Sequence, residues 1–338
     1  MIITLTPNPS LDRTVTLGGE LVRGGVNRLS AVTVEPGGKG LNVARVLVGA
    51  GLSVSAILPA ASRDPLLNAV ETVATNALKV HVVPVAGTAR INTAVTEPDG
   101  TTTKLNEPGA TLDHSEVAAL ELALIDRISQ ASDKDDHHWV ILSGSLPPGV
   151  PNEFYAGLVA RLRQVAPQVR IAVDTSDAPL AAITQAFPSA APDLIKPNGE
   201  ELGQLAGLPR ERAMALEEGA RRGEFTPIVE AGAHLVDQGV GAVLATLGPA
   251  GAVLITADGA WHASAPDVPV LSTVGAGDSS IAGYILADVN GADEAARLRS
   301  AMAYGSAAAS LPGTQLPTTA DLPQAQAIIT TLEGKTHV

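Results

Sequence analysis

The chain contains no cysteine. That excludes a disulfide framework, a thiol nucleophile and any cysteine-based metal site. Aromatic side chains are almost missing, at 2% of 338 residues, so the core has to be built from Ala, Val, Leu and Ile. Basic residues are the minority, 22 Lys and Arg against 35 Asp and Glu, for a net charge of −13. That sign argues against nucleic acid and anionic membrane as partners. It leaves room for a locally basic site that takes a small anion. No apolar run reaches the ~20 residues that span a bilayer. Met1-Ile2-Ile3-Thr4-Leu5-Thr6-Pro7 reads as a strand without the basic start of a signal peptide. The expectation is a soluble, cytoplasmic protein.

What the chain does have is glycine in turns that run into helices. Ser272-Thr273-Val274-Gly275-Ala276-Gly277-Asp278-Ser279 leads into Ile281–Ala287, which has few helix breakers. The first turn of a helix offers unpaired N–H groups and the positive end of the macrodipole, an anion site. A carboxylate there is poorly placed to bind an anion and well placed to deprotonate a hydroxyl that attacks one. The alternative is a tight turn with Asp278 as a helix cap. A second turn, Gly37-Gly38-Lys39-Gly40-Leu41-Asn42, adds a lysine suited to phosphate and an Asn in the first helical turn. It lacks Walker A spacing. It also reads as a plain glycine turn with a solvated Lys.

Along the chain, Ile2–Thr6 is a buried first strand ended by Pro7 and Pro9. Asp12 follows just past it, either facing a site or filling a turn. Thr14–Leu17, Ser30–Val34, Asn92–Glu97 and Thr101–Asn106 read as antiparallel strands of a small sheet, the last two joined by a Pro-Asp-Gly turn. A small sheet over a site is what a lid requires. Arg90 is placed to reach over the site as a phosphate ligand, and Asp64 reads as a surface residue. Residues 113–130 read as an amphipathic helix, and 132–138, with His137 and His138, as a solvated loop. Trp139–Leu142, Ile171–Asp174 and Asp193–Asn198 read as strands. Asn198 and Glu201 at a helix start are either a cap and its acidic partner or oxygen ligands for Mg²⁺. Thr246, Gly248 and Gly251 lie in a strand–turn–strand that either cradles nucleotide phosphates or is an ordinary hairpin. The small-residue helix Ala301–Ser310 suits a flat ligand or close helix packing, and the tail beyond Gly313 reads as a peripheral helix. The alternation of strands and helices indicates a parallel-sheet α/β domain with a small β lid.

Five stretches, in order, resemble the ribokinase-like (PfkB) family of sugar kinases: Thr4–Asp12, Gly37–Ala44, Ser143-Gly144-Ser145-Leu146-Pro147-Pro148-Gly149, Lys196–Leu202 and Ser272–Ser279. Coverage is nearly end to end, and the likeness is strongest to the phosphosugar branch, the 1-phosphofructokinase group. The resemblance implies a three-layer α/β/α fold with a mostly parallel central sheet and a β-sheet lid. It implies one domain over 1–338, with lid strands inserted at about 13–35 and 88–107, and a homodimer formed through the lid. It implies an ATP- and Mg²⁺-dependent kinase converting fructose 1-phosphate to fructose 1,6-bisphosphate, with tagatose 6-phosphate or fructose 6-phosphate as alternative acceptors. By resemblance, Asp278 is the base and Gly275, Ala276 and Gly277 form the anion hole. Asp12, Gly38 and Asn42 hold sugar hydroxyls, while Lys39, Arg90 and Ser143, with Arg28 nearby, hold the substrate phosphate. Asn198 and Glu201 serve Mg²⁺ and ATP phosphates, and Lys196, Thr246, Gly248 and Gly251 the nucleotide. Gly305 and Ser306 line the adenine pocket. Ser280 and Ile281 depart from a bulky apolar pair common in the family. Two other classes compete: a phosphosugar-binding protein without catalysis, which intact Asp278, Gly275 and Gly277 argue against, and a nicotinamide dehydrogenase, for which no G-x-G-x-x-G follows the first strand.

Overall fold

The computed structural model describes residues 1–130 and 138–332. In the first half, β1 (Ile2–Leu5), β2 (Ser10–Leu17) and β3 (Leu29–Gly37) precede α1 (Lys39–Gly49). Then come β4 (Val54–Ala60), α2 (Pro65–Val73), β5 (Leu78–Pro84), β6 (Arg90–Thr96), β7 (Thr102–Asn106) and α3 (His114–Ser129). The second half opens with β8 (Trp139–Ser143), α4 (Phe154–Val165), β9 (Arg170–Asp174), α5 (Asp177–Gln185) and β10 (Leu194–Ile195). It continues through α6 (Gly199–Leu205), α7 (Arg210–Arg221), α8 (Thr226–Asp237), β11 (Ala242–Thr246), β12 (Ala252–Thr256) and β13 (Gly259–Ala263). It ends with α9 (Ala276–Val289), α10 (Glu294–Ala309) and β14 (Ile329–Leu332).

The main sheet has the order β14-β13-β12-β11-β10-β9-β8-β1-β4-β5. Pairings from β5 across to β11 are parallel and those from β11 to β14 antiparallel. Its inner strands β1, β4, β8 and β11 are mainly apolar and almost wholly buried because helices cover both faces, while the edge strands β5 and β14 are partly exposed. Trp139 and Ile141 point into the core under α1, α9 and α10, while Val140 and Leu142 point into the core under α3 and α4. A third core, built by α6, α7 and α8, covers β11 and β12. The expected three-layer arrangement and mostly parallel sheet are found.

A separate sheet of four strands, order β3-β2-β6-β7, contains the expected lid strands. Its central pair differs from the expectation: β2 and β6 run parallel, with Ser10 opposite Arg90 and Asp12 opposite Asn92. Hairpin cues fix only the local pairs β2–β3 and β6–β7, and the contact between the hairpins is non-local. Asp12 therefore lies within a strand, not in a turn. Period-2 alternation puts Asp12, Glu35, Asn92 and Asn106 on one face. The other face carries Val32, Val34, Ile91 and Leu105, all exposed.

Three further expectations are corrected. The tail beyond Gly313 contains a short 3-10 turn and β14, which pairs antiparallel with β13, and no long helix among its described residues. Pro317 and Pro323 interrupt a helix there, and the β-branched Ile329-Thr330-Thr331 suits a strand. Asp64 is buried, not on the surface: it caps α2 by accepting from the Leu66 N–H and also accepts from the Ala89 N–H at 2.6 Å. His138 is buried rather than solvated, and its carbonyl accepts from the Arg170 N–H. The remaining loop, including His137, lies outside the described residues.

At the amino ends of the strands, the Trp139 indole N–H donates to Asp288 at 2.9 Å. Arg170 lies 5.6 Å over the indole and pairs with Asp288, Arg297 reaches Asp288 at 3.1 Å, and Tyr284 packs edge-on against Trp139. This network ties the last turn of α9 to β8.

Candidate active site

Two helix N-termini open onto one cleft at the carboxyl ends of the parallel strands, where ligands sit in open sheets of this kind. Gly38 precedes α1 with φ +111°, and a Cβ there would come within 2.7 Å of the Thr6 methyl. Gly275 precedes α9 in the left-handed region, φ +76°. Both positions need glycine. The first intrahelical bond of α9 runs from the Ser279 N–H to Gly275 O, so the amides of Ala276, Gly277 and Asp278 have no partner within the helix. The cleft holds about 330 Å³ and is lined by residues of the lid, both helix starts, Asp174 and Lys196.

Its floor is a cluster of alternating charge. Asp174, at the end of β9 and 2% exposed, is 3.2 Å from Lys39 Nζ and 3.4 Å from Lys196 Nζ. Burial alone would raise the Asp174 carboxyl, but the two ammonium groups outweigh it and hold it below its usual range. Burial works against the charge on Lys39, yet Asp174 and Asp278 prevail and push it up. Asp278 behaves oppositely. Burial, reinforced by the Asp174 carboxylate, pushes it up to about 6, while Lys39, Asn42 and Lys196 pull the other way. Its Oδ2 accepts from the Asn42 amide at 2.9 Å, and Oδ1 takes no hydrogen bond among the described residues. A carboxylate held by one oxygen, with the other free beside unpaired amides, can take a proton from a hydroxyl.

The lid supplies the opposite wall. Asp12 accepts from the Ser10 hydroxyl at 2.7 Å and the Asn92 amide at 3.2 Å. Burial raises its carboxyl, against those two bonds and Arg90. Gly37 makes room for it, since a Cβ there would overlap the carboxylate. Burial lowers the Arg90 guanidinium, with Asp12 opposing. Asp64 fixes the backbone just before Arg90 through the Ala89 N–H. A 170 Å³ annex, lined among others by Asn92, Lys104, Asn106, Val274 and Thr314, continues the cleft beneath the lid.

Of the residues singled out in the sequence, the structure brings together Asp12, Gly38, Lys39, Asn42, Arg90, Lys196, Gly275, Gly277 and Asp278. Ala276 contributes its backbone at the same turn. Asn42, expected on sugar hydroxyls, spends its amide on Asp278. Ser143 is not on the cleft wall: it is fully buried, opposite Asp174 in the β8–β9 pairing. The residues expected on the nucleotide side gather at the ends of β10 and β11. Asn198 bridges to Thr246, and the Thr246 N–H donates to Pro197 O. Gly248 and Gly251 both have positive φ in the β11–β12 turn. Gly305 and Ser306 lie on α10 against the start of α9, where a Cβ at Gly305 would come within 2.3 Å of Ser280 Oγ. Asp174, Ser10, Thr273 and Val274 line the cleft without having been assigned a role from sequence. The signal for Asp174 was its place at a strand's carboxyl end.

Asn198 and Glu201 form a reciprocal capping box: Glu201 N–H donates to Asn198 Oδ1, and Asn198 N–H to Glu201 Oε2. No group of three or more His, Asp or Glu among the described residues forms a metal cage. That donor set still fits Mg²⁺, which binds through one or two carboxylates, waters and substrate phosphates.

A profile for the "pfkB family carbohydrate kinase" matches residues 7–321. The 1-phosphofructokinase of Rhodobacter capsulatus is 35% identical over 319 residues, 94% of this chain and 92% of that protein. Among solved structures, phosphofructokinase-2 from Escherichia coli in complex with fructose-6-phosphate superimposes with a TM-score of 0.79 at 28% identity, covering 95% and 96% of the two chains. Ribokinase from Thermotoga maritima shares the fold, with a TM-score of 0.67 at 19% identity over 96% of each chain.

Proposed function

As the chain belongs to the PfkB family of carbohydrate kinases, we propose that it transfers the terminal phosphoryl group of ATP to fructose 1-phosphate, giving fructose 1,6-bisphosphate in the cytoplasm. The observation that carries the reading is Asp278: a buried carboxyl pushed up to about 6, at the first turn of a helix with unpaired amides. A general base works best with a pKa near the operating pH. Asp278 Oδ1 takes the proton of the attacking hydroxyl. The amides of Ala276, Gly277 and Asp278 hold the charge that spreads over the equatorial oxygens of the transferring group. Lys196 lies beside that turn, its Nζ 3.2 Å from the place a Cβ on Gly277 would take. Asp12 and Asn92 hold sugar hydroxyls, and Arg90 and Lys39 offset the substrate phosphate inside an acidic chain. Thr246, Gly248, Gly251, Gly305 and Ser306 lie toward the nucleotide. Glu201, with Asn198, would hold Mg²⁺, which neutralises phosphate charge when bound.

The preference for fructose 1-phosphate over fructose 6-phosphate and tagatose 6-phosphate draws on the relatives named above. A coupled ADP-release assay on those three sugars and ribose decides it. The highest kcat/KM is expected on fructose 1-phosphate. A higher value on another hexose phosphate reassigns the substrate, and no turnover on any of them ends the kinase reading in favour of phosphosugar binding alone. We also assign the outer face of the lid to a homodimer, since Val32, Val34, Ile91 and Leu105 all stand exposed on that one sheet face.

A further inference from the structure

Glu35 lies where three parts of the site meet. In the lid it stands opposite Asp12. Its Oε1 is 3.4 Å from Arg45 of α1, the helix whose first turn carries Lys39 and Asn42, and Arg45 also donates to Pro36 O. Its Oε2 accepts from the Thr314 hydroxyl at 2.7 Å. Thr314 belongs to the segment 311–316, which joins the lid to the turn that opens α9. On the lid side, Gly313 packs against Thr14, leaving a Cβ there only 3.3 Å from the Thr14 hydroxyl. On the other side, the Ser272 hydroxyl donates to Gly313 O at 2.7 Å and accepts from the Val274 N–H, and Leu316 packs on Gly275. The lid and the anion-binding turn are thus joined by one short strap, and the Thr314–Glu35 hydrogen bond is its side-chain link to β3.

We infer that Glu35 and Thr314 are positioning residues that couple the lid to the Gly275–Asp278 turn, so that the grip on the sugar and the anion site assemble together. Neither touches the reacting atoms. The inference rests on the kinase reading for its kinetic consequence, but the coupling itself is a property of the fold. Closure of a lid that completes a catalytic constellation raises kcat more than it tightens ground-state binding.

The test uses the full chain with Thr314→Val, which removes the hydroxyl at nearly constant volume, Thr314→Ser, which keeps it, and Glu35→Gln, which keeps an acceptor but not the charge. A hydrogen bond to a charged group predicts that Thr314→Val lowers kcat about tenfold, with Thr314→Ser recovering most of the loss. The melting temperature and KM for ATP stay near wild type. In a Glu35→Gln background, Thr314→Val should cost much less, because the two residues act as one unit. Amide hydrogen exchange supplies a readout that needs no activity: Thr314→Val should speed exchange in both 29–37 and 272–278. Wild-type kcat together with unchanged exchange in both segments overturns the coupling, as does a Ser variant no better than Val. A wild-type chain inactive on every phosphosugar ends the kinase reading instead, and exchange alone then decides whether the strap couples the two segments.

Discussion

Asp278 combines two demands that pull apart. Its burial raises the carboxyl to about 6, and the same burial makes the ionised form costly to hold in the fold. As a base it works only when ionised, so kcat/KM should rise with pH through about 6 and level off above, falling about tenfold from plateau to pH 5. A flat profile from pH 5 to 8 would remove the base assignment. Replacing it tests the second demand. Asp278→Asn keeps an acceptor for Asn42 and should lower kcat by about 10²–10⁴. The stability sign follows from linkage. With a folded pKa above the unfolded value, the group costs nothing below about 4, and the cost grows as pH rises toward 6 and stays thereafter. The Asn variant should therefore melt above wild type at pH 8, by an amount that shrinks as the pH is lowered toward 4. Asp278 and its turn were legible in the sequence because glycine and helix-start chemistry are local. The ion cluster around Asp174 was not, because the lysines that surround it come from positions 135 and 22 residues away along the chain.

At the scale of elements, glycine carries opposite meanings in two helices. Gly283 of α9 faces α10 so closely that a Cβ would come within 2.5 Å of Ser300 O. Gly283→Ala should push α10 away and cost about 1–3 kcal/mol in a denaturant titration. Gly157 of α4 has no atom within 4 Å of its Cβ position. Gly157→Ala should instead stabilise by about 0.5–1 kcal/mol, through helix propensity and a less flexible unfolded chain. Stabilisation by both substitutions would show that helix propensity, not the α9–α10 contact, governs these sites, and destabilisation by Gly157→Ala would refute the propensity account there. This scale also marks where sequence reading ends. The β6–β7 hairpin of the lid was visible from its Pro-Asp-Gly turn, the β2–β3 pair from its alternation, and α3 from its amphipathic pattern. The parallel junction of β2 with β6, the pairing of β14 with β13 and the Asp64 bond to the Ala89 N–H depend on partners distant in sequence, which no local pattern records.

For the molecule as a whole, the outer face of the lid exposes Val32, Val34, Ile91 and Leu105, and there the proposed dimer would form. Val32→Lys combined with Leu105→Lys should convert the particle to a monomer by light scattering without lowering its melting temperature by more than a few degrees. An unchanged mass would move the interface elsewhere. The three-layer architecture was legible because strands covered on both faces read as continuous apolar runs, whereas the assembly state leaves no comparable periodic trace.

The scarcity of aromatic residues has one practical consequence. The chain has two tryptophans, and Trp139 is 2% exposed, with its indole N–H on Asp288 and a guanidinium above its ring. Trp261→Phe leaves a single tryptophan, selectively excited at the red edge of its absorption, shielded from water and wired to the far end of the helix whose first turn carries Asp278. Its emission maximum and quenching thus form a built-in optical gauge of that helix, readable during ligand titration without any attached dye.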